Sequence, residues 1–292
     1  MISVCKRVRN AIIANGQDAV LDFTLTERIQ ASAMLYFVAE VDRSIRMAPR
    51  EVYIRCKLPD RRTSQGVIVG QVLDQIGFLD RIGQPPPMEH GGEEFDATVK
   101  NWRYATGTRI DESPGDVLDK YEGRIAPALM TKMHIGLSEA IINSLHHAYL
   151  ADRRDGCRHF AERRWWMFTR EQEGILEVLV CDLGIGIPRS LPISWDKKFL
   201  AKIASVFTAD GADVAAVKSA LVLGESSTKD ENRGRGLPQV WDATLNAAEG
   251  AVGIFSDRAY LGHVKGAPKQ SEFEDRLLGT IVTWRVPVSE PN

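Results

Sequence analysis

A run of proline and glycine divides the chain and most limits what it can fold into. The segment QPPPMEHGGEE, residues 84–94, contains three prolines and two glycines. Proline lacks an amide donor and fixes φ, and glycine loses much conformational freedom on folding, so no regular helix or strand is expected there. The sequence therefore predicts two structural regions, 1–83 and 115–292, joined by a linker and connecting strand over 84–114.

Composition favours a soluble protein without a strongly charged partner. The formal net charge of the 292 residues is −2, which gives no overall attraction to nucleic acid. No apolar run reaches membrane-spanning length, and the amino terminus MISVCKRVRN lacks the apolar core of a secretion signal. The four cysteines are scattered, which is typical of a reducing compartment. We therefore expect a cytoplasmic protein that binds neither nucleic acid nor membrane.

Residues 1–83 alternate between strand and helix patterns. Residues 19–23 and 51–58 are short, apolar and strand-like, whereas 27–45 and 65–79 repeat apolar residues with the period of a helix. This β–α–β–α order predicts a small α/β unit.

Residues 115–292 mix helices and strands less regularly. Helical patterns cover about 113–150, 197–207, 214–221 and 236–248, and strand patterns cover 98–110, 164–168, 175–181, 252–255 and 279–286. The mixture predicts an α+β domain in which helices pack on one face of a mixed sheet.

A polar stripe marks the helical segment EAIINSLHHAY, residues 139–149. Glu139, Asn143 and His147 follow one another at intervals of four, so they share one side of a helix. Asparagine offers a neutral oxygen that suits a hard cation such as magnesium. Glutamate offers a carboxylate that can activate water or a hydroxyl. The alternative interpretation is a stripe that faces solvent.

A second motif, DLGIGIP, spans residues 182–188. It follows an apolar strand pattern, which puts Asp182 at a strand end. Gly184 and Gly186 lack a Cβ, so a ligand can approach the backbone closely in the turn that leads to Ile187. A carboxylate there can accept a hydrogen bond from the exocyclic amine of a base. The dinucleotide fingerprint GxGxxG is not met, and a plain turn is the alternative.

A third motif, SSTKDENRGRGL, leads into the helical pattern that begins at residue 236. Backbone N–H groups at a glycine-rich helix start can bind an anion, and this loop also carries positive side chains. No P-loop motif occurs, and a surface turn is the alternative. The candidate anion-binding residues are Thr228, Lys229, Arg233, Gly234, Arg235, Gly236 and Leu237. Thr280, at the start of the last strand, carries no signal by itself.

The order of these motifs resembles the GHKL ATPase family of gyrases, histidine kinases and anti-sigma-factor serine kinases. The shared pattern is E-x-x-x-N, D-x-G-x-G-I, G-x-G-L and a final strand that opens with GT, over about residues 115–288. The resemblance implies a C-terminal GHKL-type α/β sandwich that binds ATP with magnesium. It implies that Asn143 is the metal ligand and that Glu139 is the catalytic residue acting on the attacking water or hydroxyl.

The same resemblance implies how the rest of the nucleotide is held. Asp182 would accept the adenine amine with the help of Thr280. Gly184, Gly186 and Ile187 would lie beside the nucleotide, and Gly234 and Gly236 would close a lid formed by residues 189–233. Pro238 departs from the glycine that many histidine kinases have there.

The first region resembles a STAS domain, the fold of anti-sigma antagonists. The likeness rests on AVLDF at 19–23, IQASA at 29–33 and LDQIGFLDR at 73–81. Ser32 stands where those proteins have a phosphorylated serine, but Gln30 and Ala33 replace the usual neighbours, so we interpret Ser32 as structural.

Two functions fit these patterns. The first is an ATP-dependent signalling protein, an ATPase or a serine/threonine protein kinase of the anti-sigma type, with a protein partner or protein substrate. The alternative is an ATP-gated interaction module with little or no turnover. Both are compatible with a dimer.

Overall fold

The chain divides into two compact units in a computed structural model. One unit comprises Met1–Tyr104 with Phe168–Glu173, and the other comprises Ala105–Met167 with Gly174–Asn292. The structure describes residues 1–84, 96, 98–99, 101–110, 116–157, 162–196, 198, 200–201, 205–226, 236–242 and 250–289. Most of the predicted linker lies outside the described residues, so the 83/84 boundary stays a prediction.

The first unit follows the predicted β–α–β–α order behind an additional amino-terminal helix. Its elements are α1 (Ile2–Arg9), a π-helical turn (Asn10–Ala14), β1 (Ala19–Asp22), α2 (Ala31–Met47), β2 (Ile54–Lys57), α3 (Ser64–Gln75) and α4 (Phe78–Arg81). Strands β1 and β2 pair in parallel, with Ala19 opposite Ile54. The predicted helix over 65–79 is two helices because Gly77 takes a left-handed φ of 64° between them.

A buried ion pair holds α1 against α2. Arg9 Nη1 lies 2.7 Å from Glu40 Oε1, and both side chains are at most 5% exposed. Nearby, Phe23, Phe37 and Phe78 form a cluster of aromatic rings with centroids about 6 Å apart. This unit therefore combines a small apolar core with a buried charge pair.

The rest of the chain carries the larger sheet. Its elements are β3 (Arg103–Gly107), α5 (Asp116–Asp119), α6 (Pro127–His147), β4 (Trp165–Gln172), β5 (Ile175–Asp182), α7 (Ile187–Ser194), a 3-10 turn (Ser205–Phe207), α8 (Ala212–Ser226), α9 (Gly236–Asp242), β6 (Ala251–Val264) and β7 (Ala267–Pro287). The strand order is β3–β4–β5–β7–β6. The α+β class is as predicted, but the sheet is antiparallel rather than mixed.

Helices cover one face of this sheet in the second unit. Alternate strand residues bury that face, as the two-residue period of a strand requires; they are Trp165, Met167, Leu176, Val178, Val180, Val252, Ile254, Val282, Trp284 and Val286. Helices α6, α8 and α9 supply the opposing residues, among them Leu137, Val217 and Val240. The buried Trp284 indole also donates to Val240 O at 2.8 Å, which fixes α9 to the sheet.

The last two strands form a much longer hairpin than the sequence predicts. Strand patterns cover only 252–255 and 279–286, yet β6 and β7 extend to a tight turn at Lys265 and Gly266, both with positive φ. Residues 267–276 are exposed and mostly polar, so they lack the apolar alternation that identifies a half-buried strand. The outer part of the β6–β7 hairpin, called the β6–β7 arm below, is therefore recognised only from the pairing of its backbones.

No described helix is both long enough and apolar enough to cross a membrane.

Candidate functional site

One cavity in the second unit brings the separate sequence motifs together. Its volume is about 870 Å³, and it lies where the ends of α6, α7 and α9 meet strands β5 and β7. The residues of the sequence motifs that line it are Glu139, Asn143, His146, His147, Asp182, Gly186, Ile187, Leu237 and Thr280. Residues more than 140 positions apart thus share one surface.

Asp182 forms the buried end of the cavity. It is the last residue of β5 and only 5% exposed. Gly184 N–H donates to its Oδ1 at 2.8 Å, and the backbone and hydroxyl of Thr280 also bond the carboxyl. Burial nevertheless raises the pKa of Asp182 to about 7, against the opposing effects of these bonds and the Arg153 charge. Near neutral pH this carboxyl is therefore poised between acceptor and donor.

The two glycines of the DLGIG turn have different roles. A Cβ on Gly184 would lie 2.1 Å from Ala148 O, so the turn packs directly on the end of α6, and Ile185 N–H donates to the same carbonyl at 2.7 Å. Gly184 is not among the residues that line the cavity. Gly186 does line it, and its φ of 76° favours glycine. Only the second glycine lies where a ligand could approach.

Ser256 is a contributor that the sequence analysis missed. It is fully buried on β6, opposite Thr280 of β7. Ile187 N–H donates to Ser256 Oγ at 2.8 Å, and this oxygen lies 3.1 Å from Thr280 Oγ1. A lone serine in a strand has no sequence signal, because only strand register brings it beside Thr280.

The polar stripe of α6 forms the opposite end of the cavity. Glu139 and Asn143 both line it, and both are partly exposed. Burial raises the pKa of Glu139, which moves it toward the range useful for proton transfer. The apolar residues of this helix are not all buried: Leu145 is buried, but Ile135 is 42% exposed and Ile142 lines the cavity.

Tyr149 connects the two ends. Its hydroxyl donates to Arg164 O and accepts from Leu183 N–H at 3.3 Å. These bonds and the Ala148 contacts hold the end of α6 against the turn that follows Asp182. The distance between the polar stripe and Asp182 is thereby set by packed backbone rather than by loops.

Helices α7 and α9 complete the wall with residues that carry no recognisable motif. Leu191, Ile193, Trp195 and Val240 line this side, which makes it largely apolar. An apolar wall with a few polar groups at fixed points is the usual character of a small-molecule site.

The predicted phosphate-binding loop is only partly visible. Thr228, Lys229, Arg233, Gly234 and Arg235 lie outside the described residues. Gly236 is the first residue of α9, and Leu237 lines the cavity. Their assignment as phosphate-covering residues stays a prediction.

The polar side chains of the cavity can be compared with what magnesium and a base amine, the groups that the sequence implies, would need. Within the described residues, no cluster of three or more His, Cys, Asp and Glu side chains could hold a metal ion. Magnesium in nucleotide sites commonly takes one or two carboxylates from the protein and completes its shell with phosphate oxygens and water. Asn143 would supply one amide oxygen to such a shell. Asp182 has an acceptor position left for an amine, because an ionised carboxylate offers about four and three are used here.

Comparison with known proteins adds no relative: no protein-family profile matches the chain, and no curated protein sequence matches it.

Proposed function

We propose that the second unit binds ATP with magnesium in the cavity between α6, α7, α9 and the sheet. The observation that carries this proposal is the convergence of Glu139, Asn143, Asp182, Gly186 and Thr280 on one 870 Å³ space. These residues come from three segments far apart in the sequence, and each segment supplies polar groups that a part of the nucleotide requires.

The base belongs at the Asp182 end. A buried carboxylate with one unused acceptor position can accept a hydrogen bond from the amine of adenine, and Gly186 also lines the cavity. The apolar residues of α7 offer a surface for the planar ring. Removal of water from this end strengthens the single hydrogen bond that distinguishes one base from another.

The phosphates belong at the α6 end. Asn143 would hold magnesium, which would neutralise phosphate charge when bound. Glu139 lies one helical turn away on the same stripe and faces the same space, so its carboxylate can take a proton from a water or hydroxyl nucleophile.

The biological role that fits best is signalling by an ATPase or a serine/threonine protein kinase of the GHKL type, acting with a protein partner. The loose STAS likeness of the first region supports this role. The parallel β1–α2–β2 unit is compatible with that fold class.

Two measurements test the proposal in sequence. ATP with magnesium at a hundredfold excess over its dissociation constant is expected to raise the free energy of unfolding by about 2.7 kcal/mol. Incubation with γ-labelled ATP, with and without cell extract, then shows where the label goes. Label in free phosphate indicates an ATPase, and label in protein indicates a kinase. Binding without release or transfer indicates the interaction module, and no stabilisation by ATP contradicts the proposal.

A further inference from the structure

Ser256 has no role in the proposed chemistry, yet its contacts are unusually specific. The side chain is 0% exposed. Its Oγ accepts from Ile187 N–H at 2.8 Å, lies 3.1 Å from Thr280 Oγ1 and lies 3.4 Å from Gly279 O. A structural serine in a strand needs one partner, whereas this one contacts both the glycine turn and the residue that bonds Asp182.

The direction of the hydroxyl chain follows from counting protons. Each hydroxyl has one hydrogen to donate. The Thr280 hydroxyl gives its hydrogen to the Asp182 carboxylate, so at the 3.1 Å contact its oxygen accepts from Ser256. The other acceptor for the Ser256 hydrogen, Gly279 O, is farther away at 3.4 Å. The hydrogen bonds then run from Ile187 N–H to Ser256, from Ser256 to Thr280, and from Thr280 to Asp182.

We propose that Ser256 is a positioning residue that makes the site select 6-amino purines: its hydroxyl commits the Thr280 hydrogen to Asp182 and so keeps Asp182 an acceptor. This inference rests on the proposed nucleotide site. An ionised Asp182 accepts from the amine of adenine. A protonated Asp182 would instead donate to the 6-oxo group of hypoxanthine.

The surroundings make this control effective. The pKa of Asp182 is about 7, so a modest change in its hydrogen bonds changes which form prevails at neutral pH. The Arg153 guanidinium favours the carboxylate. The Asp182 charge in turn raises the pKa of Tyr149, so that hydroxyl stays neutral beside it. Ser256 reaches Asp182 only through Thr280, so its effect does not require contact with the nucleotide.

The first test needs no nucleotide. The Asp182 carboxyl is titrated by carbon-13 NMR in the wild type, in Ser256→Ala and in the control Ser219→Ala. Ser219 is also a buried serine, but its hydroxyl donates to Ala215 O within α8, and it is not among the residues that line the cavity. Ser256→Ala is expected to move the midpoint upward by about one pH unit, and Ser219→Ala to leave it unchanged.

An unchanged midpoint in folded Ser256→Ala overturns the proposal. If that variant does not fold, Ser256→Cys keeps a side chain of similar size with a weaker donor, and it is judged by the same upward shift. A midpoint that also rises in Ser219→Ala shows a general loss of packing and equally overturns the proposal.

The second test compares ATP with inosine triphosphate, which differs in the 6-position. At pH 7, Ser256→Ala is expected to weaken the binding of ATP by about tenfold relative to the binding of inosine triphosphate. This is the size of the effect of one lost hydrogen bond to a charged group. An unchanged ratio overturns the selectivity. If the wild type binds neither nucleotide, the proposed function fails and base selection fails with it, whereas the NMR titration still decides whether Ser256 controls Asp182.

Discussion

The two ends of the cavity are built in opposite ways. At one end, Asp182 is buried, and its bonds to Gly184 and Thr280 are made within the protein. At the other end, Glu139 and Asn143 are partly exposed on one face of α6. The first end has a fixed arrangement before any ligand arrives, and the second leaves its polar groups open to groups that a ligand brings.

This difference matches the proposed placement of the base at the Asp182 end and of the phosphates at the α6 end. A buried, hydrogen-bonded carboxyl discriminates between bases because a wrong partner leaves it unsatisfied. Half-exposed polar groups suit phosphate and magnesium, which carry water into the site with them. Four changes test this placement, beginning with the largest expected effect.

Removal of the Glu139 carboxylate tests whether the α6 end of the cavity takes part in catalysis. In Glu139→Gln, turnover of ATP is expected to fall by about a hundredfold to ten-thousandfold, because a positioned base is lost. Affinity for ATP should stay within a few-fold, since the side chain keeps its size. Release of labelled phosphate and equilibrium binding measure the two effects.

Lys132→Gln is the matched control, because Lys132 is exposed on the same helix and does not line the cavity. It should leave turnover unchanged. A Glu139→Gln protein as active as the wild type would remove Glu139 from the chemistry while leaving the binding proposal intact.

The pH dependence of stability tests whether the buried carboxyl at the Asp182 end ionises within the folded protein. Asp182 has a pKa of about 7 when folded against an ordinary 3.8, so the folded chain holds its proton more tightly. The free energy of unfolding should therefore fall as pH rises from about 4 to about 7, by up to about 4 kcal/mol from this group, and change little above that range. Denaturant unfolding at several pH values measures it.

Asp182→Asn removes this ionisation, so its stability should lose that part of the pH dependence. The same variant should lose most of the ATP-induced stabilisation, because an amide cannot offer the same two acceptors. Equal slopes in wild type and variant between pH 4 and 7 would mean that Asp182 is not the responsible group.

A substitution at Gly184 tests whether the turn that follows Asp182 is held against the end of α6. In Gly184→Ala the new Cβ would meet Ala148 O at 2.1 Å, and overpacking of this kind costs about 1–3 kcal/mol. In the control Gly70→Ala nothing lies within 4 Å, so α3 should gain up to about 1 kcal/mol. Denaturant unfolding compares them, and an undiminished stability of Gly184→Ala would contradict the close contact.

Asn143→Ala gives the smallest expected effect and separates metal from nucleotide. Binding of ATP in magnesium should weaken by about tenfold, about 1.4 kcal/mol, because one oxygen ligand is lost. Binding in the presence of a chelator should change much less. Equal weakening under both conditions would indicate a damaged α6 rather than a lost ligand.

Much of the fold could be predicted from periodicity. The β1–α2–β2–α3 order, helix α6 and strands β4 and β5 all have strong apolar repeats, and the structure contains each of them. The long β6–β7 arm and α1 could not be predicted. The exposed part of β7 has no apolar face. Where this part of the strand begins and ends is set by backbone pairing, which residue types do not encode.

The sequence by itself determined which chemical groups this protein has and where they fall on helices and strand ends. Spacing of four on α6 aligns Glu139 with Asn143, and the apolar run before Asp182 ends there as a strand. Tertiary structure alone decided that Thr280 pairs with Asp182, that Ser256 lies beside it, and that Gly184 packs on Ala148. The physical reason is that periodicity is local, whereas strand register and close packing depend on contacts between residues far apart in the chain.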